Sequence, residues 1–94
     1  MNIIYSKHIQ VRLDLRKIDH DLPRQIFEEA KERFSDAETG HTIVVEKALI
    51  NEKERDVMVA YTFEGEDVKL LTIHPLQKGQ KENRIKSGRW RKLL

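Results

Sequence analysis

The sequence predicts an α+β domain in which two N-terminal helices pack on a three- to four-stranded antiparallel sheet, followed by a basic C-terminal segment. Three observations carry this expectation. Apolar residues recur at helical spacing up to about residue 34. From Thr42 the period changes to two, in runs joined by short polar turns. Charge then concentrates at the end: from Gln77 onward there are seven Lys or Arg and one acid.

Residues Asn2 to Tyr5 form a short apolar run that fits an edge strand, and Ser6 offers a helix N-cap. The next stretch fits two periods. Ile9, Val11, Leu13 and Leu15 alternate with polar residues, as in a strand, yet Val11, Leu15 and Ile18 also stand at i, i+4 and i+7. The spacing of His8, Arg12 and Arg16 favours the helix, because it lines all three along one side. Asp19 to Pro23 is a break and a restart, with Asp21 as a cap and Pro23 in a first turn, where its missing N–H costs nothing. Ile26, Phe27, Ala30 and Phe34 then predict a second helix over 22–34, and 35–40 reads as a loop.

Three strands follow. Thr42 to Ile50 is rich in β-branched residues, and residues 51–54 read as a turn. Val57, Val59, Tyr61 and Phe63 alternate with Met58, Ala60 and Thr62, residues 64–67 turn again, and Val68 to Ile73 completes a meander. Pairing Phe63 with Val68 puts Tyr61 opposite Leu70, Val59 opposite Thr72 and Val57 opposite His74. That face is the expected core side under the helices. The other face, with Met58, Ala60, Leu71 and Ile73, is too apolar to stand bare, and the C-terminal segment is the candidate to cover it. Pro75 ends the last strand, since it cannot donate to a ladder.

The length allows one domain, 1–94, with a small core, and residues 77–94 as its basic segment. Hydrophobic residues at 38% with clear patterning argue against disorder. No cysteine is present, so disulfides and thiolate metal sites are excluded. No apolar run approaches the roughly 20 residues of a membrane span, and the first residues lack a signal-peptide pattern. The expectation is a soluble cytoplasmic protein that does not engage membranes. No phosphate-binding loop, nucleophile elbow or His-x-x-x-His pair occurs, so neither cofactor nor metal is expected.

The overall charge of +2 hides a dipolar chain: the last eighteen residues sum to about +6 and the rest to about −4. A basic segment on an acidic body points to a polyanion partner. The blander reading is a solvated charged tail. His8, Arg12, Arg16, His74, Lys81, Arg84 and Arg89 form a set suited to RNA cleavage without metal. Lys and Arg neutralise the scissile phosphate and its transition state, and a His moves a proton at the 2′-hydroxyl or the leaving oxygen. Lys78, Lys86 and Arg91 extend the expected nucleic-acid-binding set, together with Lys81, Arg12, Arg16 and His8. The alternatives are that Arg12 and Arg16 pair with nearby acids and that His74 is a satisfied strand-end residue. Trp90, the only Trp, fits a packing anchor for the tail better than a base-stacking platform.

The order of elements, ending in a basic tail, is similar to that of the RelE/ParE toxin superfamily. Tyr5-Ser6-Lys7-His8 with Arg12 and Arg16, and Leu71-Thr72-Ile73-His74-Pro75 closing the last strand, look like its DUF4258 and BrnT-like branch. The resemblance spans nearly the whole chain through short motifs, of which Arg84-Ile85-x-Ser87-Gly88-Arg89-Trp90 is the most distinctive. It implies a RelE-like α+β fold and a toxin held in check by a cognate antitoxin protein. The implied activity is cleavage of free or ribosome-bound mRNA, or gyrase poisoning. By position it marks His74, Arg84 and Arg89 as catalytic. The C-terminal Tyr usual in RelE-type enzymes is absent, the last Tyr being Tyr61. The resulting expectation is an RNA-binding, metal-independent endoribonuclease; the rival is a non-catalytic module that grips nucleic acid or a protein.

Overall fold

Ser6 sets how the chain begins. The computed structural model describes residues 1–93. A first strand, β1 (Ile3–Tyr5), gives way at Ser6 to a helix, α1 (Lys7–Arg16), and the Ser6 hydroxyl accepts from the Ile9 N–H as an N-cap. Helix wins over strand in this stretch because Ile9 and Leu13 then face inward together. Val11 and Leu15, which the helical period had counted as core, are exposed instead. The helix ends at Lys17, in the left-handed region at φ 53°.

The second helix, α2 (Leu22–Glu29), buries Pro23, Ile26 and Phe27. It stops well short of the expected residue 34. Ala30 is extended, and Glu32–Asp36 form a strand, β2. The physical reason is Phe34. In a longer helix it would share a stripe with Ile26 and Phe27, but it packs on the opposite face of the sheet, under Trp90. Only an extended chain reaches that face, and there Phe34 and Asp36 are buried while Arg33 and Ser35 are partly exposed.

The meander follows as β3 (Thr42–Ile50), β4 (Lys53–Glu64) and β5 (Asp67–Pro75). The turn between β3 and β4 is tighter than the sequence suggests. Only Asn51 and Glu52 form it, both at positive φ, so Lys53 and Arg55 lie within the strand. After β5 come a short helix, α3 (Gln80–Lys86), and a last strand, β6 (Trp90–Lys92). Gly88, at φ 82°, turns the chain between them.

The expectation of two helices on three to four antiparallel strands is therefore corrected. The described residues form three helices and a six-stranded mixed sheet in the order β1-β5-β4-β3-β2-β6. β1 pairs parallel with Val68–Leu70 of β5, and β6 pairs antiparallel with β2. The basic C-terminal segment, expected to cover the second sheet face, also supplies one of these strands.

Both sheet faces are covered. On one, α1 and α2 close over Val44, Val57, Val59, Tyr61, Val68 and Leu70. On the other, Trp90 and Leu76 cover Phe34, Ile43, Val45, Met58 and Ala60. A β-bulge at Ala60/Tyr61 reverses the parity of β5 beyond Leu70. The expected pairing holds at Phe63↔Val68 and Tyr61↔Leu70, then shifts to Ala60↔Thr72, Val59↔Ile73, Met58↔His74 and Val57↔Pro75. Ile73 thereby joins the helix-side core, and His74 stands opposite Met58. No helix among the described residues is long and apolar enough to cross a membrane.

Candidate functional site

His74 is the next-to-last residue of β5. β1 ends opposite Leu70, so β5 has no neighbouring strand on that side beyond this point, and α1 packs beside it. His74 lines a hollow of about 420 Å³ with Arg16 from α1, Arg55 from β4, Gln77 from the loop after β5, and Gln80 and Arg84 from α3. Chain segments far apart in sequence thus meet around one imidazole.

The electrostatics of this ring are unusual. Burial, and then repulsion from Arg12, Arg16, Arg84 and His8, lowers its pKa to about 4. The ring is neutral at pH 7, but at this pKa it is a weak base, and it gains strength only when a bound anion offsets the surrounding cations. The cations around it crowd one another. Arg12 has its pKa lowered by burial and by Arg16, and Arg84 by burial and by Arg89. Arg12 Nε donates to His8 Nε2 at 3.2 Å. Among the described residues, Arg12, Arg16 and Arg84 have no ion-pair partner. Arg84 is instead placed with its guanidinium 5.0 Å from the centre of the Trp90 ring. A cluster of unpaired, like-charged groups at the rim of a hollow is a site with room for an anion.

The other sequence-predicted residues are placed elsewhere. Arg89 binds Asp36 through two nitrogens, at 3.1 and 3.2 Å, and approaches Glu38 at 3.3 Å. Asp36 is only 3% exposed, so Arg89 compensates a buried carboxylate and does not line the hollow. Lys81 donates to Glu32 at 2.6 Å and ties α3 to β2. Lys78, Lys86 and Arg91 are exposed and outside the hollow. The structure thus brings His74, Arg84 and Arg16 together in the hollow, sets Arg12 and His8 outside its lining but near enough for their charge to reach His74, and leaves Arg89, Lys81, Lys78, Lys86 and Arg91 apart from them.

Arg55 is the residue that sequence reasoning missed. Its guanidinium donates to the Leu76 carbonyl at 3.1 Å, which holds the chain where it leaves β5. It sits in sequence between Glu54 and Asp56, so local charge hides it. The available signal was strand alternation, which puts Lys53 and Arg55 on one face and their acidic neighbours on the other.

Among the described residues no group of His, Asp and Glu is placed to hold a metal ion. No protein-family model, no curated protein and no solved structure matches this chain.

Proposed function

We propose that this protein binds RNA in the His74 hollow and cleaves it with its own side chains, as a toxin restrained by a partner antitoxin. The observation that carries the reading is one neutral imidazole in a hollow lined by Arg16 and Arg84, with the charge of Arg12 reaching it from outside the lining, all three without acidic partners among the described residues. The toxin and antitoxin parts rest on the resemblance to the RelE/ParE superfamily.

In this scheme Arg16 and Arg84 hold the non-bridging oxygens of the scissile phosphate, in a planar grip that Lys does not reproduce. Neutral His74 takes the proton of the 2′-hydroxyl as that oxygen attacks phosphorus. The bond to the 5′ oxygen breaks, and the departing oxygen takes its proton from solvent. The products are a 2′,3′-cyclic phosphate and a 5′-hydroxyl. The arginines stabilise the added negative charge of the transition state. Arg89 supports the site indirectly, by fixing β6 and with it Trp90, on which Arg84 rests.

The test is incubation of purified protein with labelled single-stranded RNA in EDTA. Native protein cleaves, and His74→Ala lowers the rate roughly 10²–10⁴-fold while still binding. Cleavage by His74→Ala at the native rate removes the base from the scheme. Binding without cleavage by native protein supports a non-catalytic interaction module instead.

A further inference from the structure

The hollow at His74 does not end at Arg16. A second hollow of about 570 Å³ adjoins it, with Arg16, Arg55 and Pro75 as the shared wall. Lys17, Asn51 and Lys53 line its far side, and Leu15, Ile50 and Pro75 give it apolar surface. The chain has nearly as many acids as cations, yet no acid lines either hollow. Acids enter only at the next depression, between α2 and β3, where Asp19, Glu29 and Glu46 stand beside Lys17 and Lys47. The cationic surface is therefore a bounded track that starts at Arg84 and stops at Lys17 and Asn51.

Lys17 caps α1, and Asn51 with Glu52 forms the β3–β4 turn, all three at the positive φ that such a cap and such a turn use. At position 17 the left-handed turn puts a lysine at the end of α1, facing Lys53 across the second hollow.

We propose that the two hollows form one track for a single-stranded RNA segment with at least two consecutive phosphates. The first phosphate lies at His74 and Arg84, and the second between Lys17 and Lys53. The proposal rests on the His74 hollow being the RNA site, and adds its length and direction. The strand runs away from the basic C-terminal segment, towards the turn between β3 and β4. Arg16 and Arg55 stand at the junction of the two hollows, and a flexible single strand can set successive phosphates into separate hollows where a stiff duplex cannot. Leu15 and Pro75 offer the base an apolar surface, so recognition in the second hollow is through phosphate and tolerates any base.

The experiment uses 2′-O-methyl oligonucleotides, which cannot be cleaved at the 2′ oxygen, carrying one, two or three phosphates. Affinity is read by fluorescence anisotropy at several salt concentrations. Binding strengthens about tenfold from one phosphate to two, as expected for one added charge-assisted contact, and changes less beyond that. In the Lys17→Gln/Lys53→Gln protein, and partly in Lys53→Gln alone, the two-phosphate strand binds no better than the one-phosphate strand. The slope of log K against log salt becomes shallower by about 0.7. Both lysines are exposed, so the unfolding midpoint stays the same. If one phosphate binds but length and the two lysines make no difference, the track is refuted and the His74 hollow stands alone. Equal, lysine-dependent binding of a duplex overturns the single-strand assignment. If no strand of any length binds, the track and the RNA reading fall together.

Discussion

At His74, positive side chains from α1 and α3 press on one half-buried ring, and the cost of that crowding is measurable. The unfolded chain takes up a proton on this residue near pH 6.5, whereas the folded ring stays neutral down to about pH 4. Between those values the unfolded state binds more protons. Stability from this group is therefore fully present above pH 6.5 and falls as pH drops towards 4. His74→Gln removes the effect. Urea midpoints at pH 7 and pH 4.5 are expected to differ less for His74→Gln than for the native chain, and equal differences contradict the placement. Arg84 and Arg89 separate at the same scale. Arg84→Gln weakens RNA binding with little change in stability. Arg89→Gln leaves the buried Asp36 carboxylate with backbone N–H donors but no cation, and destabilises the fold by about 1–3 kcal/mol at neutral pH. Paired denaturation and binding curves for the two variants check this; a stable Arg89→Gln protein that has lost only binding would reverse their roles.

Among the elements, β6 is the one whose loss is felt furthest. Its Trp90 is 1% exposed and stacks on Phe34 with ring centres 5.6 Å apart. Trp90→Ala is expected to cost about 3–5 kcal/mol in chemical denaturation, at the level of a large aromatic deletion from a core. The indole N–H has no hydrogen-bond partner among the described residues. Trp90→Phe therefore loses volume but no hydrogen bond, and should retain most of the stability. Similar losses for both variants would mean that the N–H is bonded after all. α1 was legible in the sequence because its cap at Ser6 and the spacing of His8, Arg12 and Arg16 agree. β2 was not, because Phe34 continues the helical spacing of Ile26 and Ala30. Only the second core, which lies on the other face, requires an extended chain there. The bulge at Ala60/Tyr61 was marked only by the switch of apolar parity from Val68 and Leu70 to Leu71 and Ile73, which an unbroken register passed over by setting Thr72 and His74 opposite Val59 and Val57.

Over the whole molecule, the dipolar charge pattern of the chain is partly cancelled by folding. Lys81 and Arg89 of the basic segment meet Glu32, Asp36 and Glu38 of the body. The convergent cations come from α1, β4 and α3 together. This explains how the sequence marked His74 and Arg84 but placed the centre of charge too far towards the C-terminus. It also changes what a truncation reports. A chain ending at Leu76 uncovers Phe34, Met58 and Ala60 and leaves β2 as an edge strand paired only with β3. Such a chain is expected to lose its cooperative unfolding transition, so lost binding by it carries no information about the site. A sharp, native-like transition would show that α3 and β6 are dispensable to the fold.

The central claim is that the ring of cations at His74 is an anion site, and the His74 imidazole itself reports on it. Its titration by NMR, in the free protein and with a 2′-O-methyl single strand bound, is the most direct measurement. The account predicts titration near pH 4 in the free protein, moving upward when bound phosphate offsets Arg12, Arg16 and Arg84. Titration near 6.5 in the free protein, unmoved by a strand bound elsewhere, would contradict it.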